Sequence, residues 1–295
     1  MKRAVNSAAL AAALAAALAS VLSVPAGAAA QWELSTGALV DDASGYSFDI
    51  DARVAPTEQW SFAAGIGRAE SSDQRAALTG DAWRASVDWQ GAALGFGLGY
   101  RSWRDSSLFS ADTLATDVSW SVGGGRISAL VESRQFEIGY TITLPLRTQR
   151  FTQDFDDTGL GLAYSYYGDR WGGYVRALSY EHDAGLDRVI AASRLPNLAD
   201  SPRLQALLSS FVTRSVGSVD HHVALGIERS FSRSGVTLDL GFSRDAVTDD
   251  DSRNLSVSYR YALTPQFELE GLAGVAETDR FDALAFAGLQ LRYRN

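Results

Sequence analysis

From Gln31 to the end of the chain, apolar and polar residues alternate in successive segments of roughly ten residues, each closed by turn-forming residues. A period of two puts alternate side chains on opposite faces of a β-strand. Gln31 to Val40 sets Trp32, Leu34, Ala38 and Val40 against Glu33, Ser35 and Gly37. Tyr46 to Val54 sets Phe48, Ile50 and Ala52 against Ser47, Asp49, Asp51 and Arg53. The division recurs at 60–67, 83–89, 92–103, 114–122, 158–167, 219–231, 236–243, 254–263, 267–276 and 281–293. A strand over 171–182 has no evident facing. In 126–144, Ile127, Ala129 and Val131 share one phase while Phe136, Ile138, Tyr140 and Ile142 share the other, which predicts one long strand with a β-bulge. The expected fold is all-β: a single closed antiparallel transmembrane barrel of fourteen strands, within bounds of twelve to sixteen.

Residues 1–30 have a different composition. Lys2 and Arg3 precede an Ala/Leu-rich run, and Pro25, Gly27 and Ala28-x-Ala30 precede Gln31. This is the pattern of a secretory signal peptide cleaved before Gln31, leaving residues 31–295 as the barrel. Losing Lys2 and Arg3 takes the net charge from −9 to −11. Cysteine is absent, which excludes a lipoprotein anchor and a disulfide framework. Beyond residue 30 no apolar run is long enough for a membrane helix.

The tryptophans give an independent check. With both ends of the mature chain on one side, Trp32, Trp60, Trp89, Trp120 and Trp171 fall at that end of their strands, joined by Phe231, Tyr261, Phe267 and Tyr293. Trp83 and Trp103 fall at the other rim. Two such girdles suit a barrel crossing a bilayer. Connections on the first side are short, whereas 69–80, 104–113, 145–157 and 183–217 on the other are longer. The turn Tyr261-Ala-Leu-Thr-Pro-Gln-Phe267 and the final strand Gly288-Leu-Gln-Leu-Arg-Tyr293 resemble those of Gram-negative outer-membrane barrels, and the likeness covers Gln31 to Asn295. It implies a porin-like outer-membrane location, contact with outer-membrane lipid and lipopolysaccharide, and a last strand recognised by the barrel-assembly machinery.

On the predicted lumen face stand Glu33, Asp49, Asp51, Asp88, Asp117, Glu132, Glu137, Glu228, Asp239, Glu268 and Glu270, against Arg53, Arg84, Arg101, Arg260 and Arg292. Rings of carboxylates raise the local cation concentration. The inward glycines, such as Gly95, Gly97, Gly99, Gly159, Gly161 and Gly241, are expected to leave space. The expected function is therefore passive, cation-preferring diffusion of small solutes. Its alternatives are a non-conducting surface-binding barrel and, more weakly, a hydrolase at the rim.

In the 183–217 connection, Ser201-Pro202 is a helix start, and Leu204, Leu207, Leu208 and Phe211 form an apolar stripe at helical spacing. That short helix would narrow the mouth, cover it or meet a partner. His182 and Asp220-His221-His222 bracket the same connection. A His/carboxylate cluster with Glu181 and Asp183 could bind metal or act as a general base. Alternation sends His221 outward and His222 inward, so the expectation is no metal, no cofactor and no catalytic residue. The Asp41-Asp42, Asp154, Asp156-Asp157 and Asp249 to Asp251 acids are read as solvated rim carboxylates, which could also bridge divalent cations to lipopolysaccharide phosphates. The acidic balance argues against nucleic acid as a partner. The oligomeric state is not legible.

Overall fold

A computed structural model of the chain describes residues 30–42, 45–73, 76–105, 109–144, 147–182, 219–246, 250–279 and 281–295. They form fourteen strands: β1 (Gln31–Asp41), β2 (Tyr46–Ala55), β3 (Trp60–Asp73), β4 (Ala76–Gln90), β5 (Leu94–Asp105), β6 (Phe109–Val122), β7 (Gly125–Leu144), β8 (Arg147–Tyr167), β9 (Trp171–His182), β10 (Val219–Ser230), β11 (Ser234–Asp245), β12 (Asp251–Ala262), β13 (Phe267–Thr278) and β14 (Phe281–Arg294). Each pairs antiparallel with its sequence neighbours, and β1 pairs with β14, so the sheet closes. Closure leaves no edge strand.

The exterior is apolar because one phase of each strand faces out. Leu34, Phe48, Ile66, Leu98, Val118, Leu160, Leu162, Ile227, Val257 and Leu289 are all exposed there. At the end bearing the chain termini this belt meets a girdle of rings. Trp60 pairs with Trp89 in the ladder, and the Trp32 and Phe267 rings pack on Tyr293 with centroids 5.0 and 4.8 Å apart. Trp103 does not join the opposite girdle. It points into the lumen, buried against Gly80, because β4 and β5 register Trp103 with inward Ala82 and Ser102 with outward Trp83.

The turns at the terminal end follow their sequence chemistry. Gly123 and Gly124 (φ 53° and 86°) close a two-residue hairpin between Val122 and Gly125, which favours glycine. Thr57 Oγ1 accepts from the Gln59 and Trp60 amides, and Thr264 Oγ1 from those of Gln266 and Phe267.

Further expectations are corrected, among them the lumen placement of Glu137. The β7 register runs without a shift against both β6 and β8, so there is no bulge. Phe136 therefore turns inward and is buried, while Gln135 and Glu137 face outward. Above the apolar belt an outward polar residue meets water, and the phase has no reason to flip. The predicted 69–80 and 145–157 connections are mostly strand, since β3, β4 and β8 extend through them. Backbone pairing propagates whether or not the side chains alternate. Asp157, read as a rim carboxylate, is consequently inward and 1% exposed. The described residues contain no helix, and the predicted helix at Leu204, Leu207, Leu208 and Phe211 lies outside them.

Candidate functional site: the barrel lumen

The inward phase places Asp49, Asp51, Arg53, Arg84, Asp88, Arg101, Asp117, Glu228, Asp239, Arg260, Glu268 and Glu270 on the lumen wall. The structure sorts them into separate networks. On β2 and β4, Arg84 Nε donates to Asp51 Oδ1 at 2.6 Å, Arg84 Nη2 pairs with Asp51 Oδ2, and Asp49 lies 3.6 Å from the same guanidinium. The pair spans Gly65 of β3, which the ladder sets between Asp51 and Arg84. An added Cβ at Gly65 would overlap the Asp51 carboxylate. Arg53 donates to Ser61 Oγ at 3.1 Å and is in no ion pair among the described residues.

At the terminal end, Arg260 pairs with Glu228 across β11, and Arg292 bonds Glu268 at 2.7 Å and reaches Glu270 at 3.7 Å. Tyr174 Oη donates to Asp239 at 2.7 Å across Gly226. Glycine thus acts in this lumen less as a void than as the floor under a large side chain laid flat. Tyr180 lies over Gly159, Leu178 over Gly161 and Asn254 over Gly241. Gly99 is different, with nothing nearer than 3.9 Å to an added Cβ.

The most tightly knit group was not foreseen from the sequence. Glu132 of β7, 2% exposed, receives Arg176 Nη2 at 2.6 Å, Arg134 Nη2 at 3.2 Å, Arg101 Nη2 at 3.3 Å and Tyr180 Oη at 2.8 Å. The Arg134 guanidinium also stacks 3.7 Å over the Tyr180 ring. One carboxylate is thus shared by three guanidiniums from β5, β7 and β9. Arg134 was hidden by the expected phase flip in β7. Arg176 and Tyr180 were hidden by Gly172-Gly173, which obscured the facing of β9. Carrying the Ile127-Ala129-Val131 phase onward, and taking Trp171, Val175 and Ala177 as the outward set of β9, would have found all three.

Toward the loop end the lumen becomes partly apolar. Leu39, Ala276 and Phe286 cluster with Leu272, and Leu178, Tyr180 and Val219 cluster with Leu130. His182 Nδ1 lies 2.8 Å from buried Asp157 Oδ1, and its Nε2 lies 4.0 Å from Asp220 Oδ1. The outward Glu181, paired with outward Thr158, shows that this level is beyond the apolar belt. The close Asp157 carboxylate raises the His182 pKa above its ordinary value, burial opposes this, and the Asp157 and Asp220 charges add to the rise. His221 faces outward with Nδ1 3.1 Å from Asp220, while His222 is inward and buried. His182 and His221 thus both reach the Asp220 carboxylate while His222 turns into the lumen, and no group of three or more side chains placed to hold a metal occurs among the described residues.

Between these networks lies a cavity of about 600 Å³, bounded by Asp49, Asp51 and Arg84 on one wall and by Asp239, Asn254 and Glu270 on another. A second of about 260 Å³ adjoins it, with Asp88, Asp117, Glu132 and Arg176 on its wall. Asp51, Arg84 and Arg101 line both.

Closed strand order, apolar exterior and polar, cavity-bearing interior are all those of a barrel that meets lipid outside and water inside. The fold is that of a Gram-negative outer-membrane β-barrel. No protein-family model matches the chain, and no curated protein does. Among solved structures it is similar to the CymD monoaromatic hydrocarbon channel, with 7% identity, TM-score 0.52, and coverage of 90% of this chain and 88% of that one. It is also similar to OmpT, an outer membrane protein of Vibrio cholerae, with 8% identity, TM-score 0.51, and 90% and 97% coverage. OmpTdeltaL8, a loop L8 deletion mutant of that OmpT, gives 10% identity, TM-score 0.50, and 90% and 98% coverage. At such identities the likeness concerns the fold.

Proposed function

We propose that the chain is an outer-membrane pore for passive, cation-preferring diffusion of small solutes. In this reading the signal peptide is cleaved, the barrel-assembly machinery inserts the barrel, and lipid and lipopolysaccharide surround it. No side chain does covalent chemistry. The observation that carries the reading is the pair of adjoining lumen cavities inside an apolar exterior. The CymD monoaromatic hydrocarbon channel, a barrel of the same fold, supports it.

Cation preference rests on the walls of the larger cavity, where Asp49, Asp51, Asp239 and Glu270 stand against Arg84 and Arg101. The margin is narrower than the sequence count suggests, because Arg126, Arg134, Arg176 and Arg294 also face inward. In a planar bilayer under a salt gradient, the reversal potential is expected to show cations carrying more current. Asp239→Asn with Glu270→Gln is expected to move it toward zero. Absence of current, or anion selectivity, overturns the proposal.

A further inference from the structure

At the end of the barrel bearing the termini, three exposed arginines fall on the end of one strand and the two turns beside it. Arg170 is in the β8–β9 turn, Arg229 is on the outward face of β10, and Arg233 is in the β10–β11 turn. The Ser230 amide donates to the Arg170 carbonyl at 2.8 Å, which fastens the end of β10 to the neighbouring turn. Arg229 opposes Trp171 in the ladder, and its guanidinium carbon lies 5.0 Å from the Trp171 ring centroid and 5.2 Å from that of Phe231. Both rings are exposed and belong to the girdle.

In a chain of 35 acids and 26 basic residues, unpaired arginines on an apolar exterior need a reason. Among the described residues none of these three is in an ion pair, and Asp169 is the one acid in the two turns. Outward charges near the opposite rim include the matched pairs Arg68–Asp81 at 3.8 Å and Arg253–Glu277 at 3.7 Å. A guanidinium held over aromatic faces keeps its N–H edge free to donate, and that fork fits a phosphodiester. Aromatic rings at the same level mark the depth at which headgroup gives way to acyl chain.

We propose that Arg170, Arg229 and Arg233, with Trp171 and Phe231, form a binding site for the phosphate headgroup of an anionic phospholipid in the leaflet facing the chain termini. The site rests on the membrane reading given above. The phosphate lies against Arg229 and between the two turns, and the glycerol and upper acyl chains cover the Trp171 and Phe231 rings.

The test titrates the full chain, folded in detergent, with phosphatidylglycerol, phosphatidylcholine and lipid A, counting bound lipid by native mass spectrometry. Phosphatidylglycerol is expected to outbind phosphatidylcholine, and each Arg→Gln change at 170, 229 or 233 to weaken it about fivefold. Arg229→Lys keeps the charge but loses the planar stack and is expected to fall between wild type and Arg229→Gln. Arg68→Gln, at the opposite rim, is expected to change nothing. Equal retention of phosphatidylglycerol and phosphatidylcholine, or an unaffected triple variant, overturns the site. So does arginine-dependent preference for lipid A, which would put the patch in the other leaflet. Insertion into vesicles, read by heat-modifiable electrophoretic mobility, is the separate control. A chain that inserts without headgroup preference loses this site alone, whereas one that does not insert loses the membrane reading.

Discussion

Glu33 Oε1 lies 3.2 Å from Arg292 Nε, joining the first strand to the last across the closure of the barrel. Arg294 Nε reaches the other Glu33 oxygen at 2.9 Å, and Asn295 Oδ1 accepts from the Trp32 amide at 2.8 Å. The last residues of the chain therefore clasp its first strand. Because these side chains are partly exposed to the hydrated end of the lumen, the Glu33–Arg292 pair contributes only about 0 to 1 kcal/mol. Its structural weight is in register, since a one-residue slip would exchange lumen and lipid faces. Glu33→Gln is expected to leave the fold intact and lower stability by no more than about 1 kcal/mol in urea titration of the folded barrel. A loss several times larger would show that the clasp governs closure itself.

Glu132 has the opposite energetics. Its removal leaves Arg101, Arg134 and Arg176 facing one another with their shared carboxylate gone. Glu132→Gln is expected to destabilise the barrel by about 3 to 5 kcal/mol. Adding Arg134→Met should recover part of that loss, and lack of any recovery in the same unfolding assay would argue against charge crowding as the cause.

Gly65 and Gly99 make a matched pair of inward glycines. Gly65→Ala is expected to displace the Asp51–Arg84 pair and alter single-channel conductance and ion selectivity, whereas Gly99→Ala, with open space before it, should leave both near wild type. Equal effects in bilayer recordings would refute the bridging role given to Gly65.

His182 gives a pH dependence with a definite sign. Its native pKa is raised, so the folded chain binds the proton more readily than the unfolded one. The resulting stabilisation is full below the unfolded value of about 6.5 and fades as pH rises through the raised native value. The stability difference between wild type and His182→Gln should therefore shrink from pH 6 toward pH 8. A difference that grows over that range would contradict the Asp157 contact as its source.

The strand number and the antiparallel order were legible because each depends on local information. A period of two, broken by turns such as Gly123-Gly124 and Thr264-Pro265, marks where each strand lies and which face is apolar. The inward facing of Asp49, Asp51 and Glu270 follows from the same parity, which once closure is assumed also sets Glu33 beside Arg292 or Arg53, and the structure pairs it with Arg292. Polarity stops reporting the facing where neither face meets lipid. Beyond the apolar belt, Phe136 turned in and Gln135 turned out, following the phase set by Ile127, Ala129 and Val131 and not their own polarity.

What the tertiary structure alone decided is which lumen charges meet. Glu132, Arg101 and Arg176 come from β7, β5 and β9, and register and side-chain reach across intervening strands bring them to one point. A list of inward residues cannot separate that shared carboxylate from the bridge of Arg84 to Asp51 and Asp49, because alternation specifies direction and not distance. Likewise, inward glycine reads in sequence as empty space, and only the packed wall shows Tyr180 lying over Gly159 while Gly99 stays open. Local periodicity determines the barrel and its two faces. The contents of its lumen depend on how far each side chain reaches around the closed wall, a property of the whole sheet that no single strand encodes.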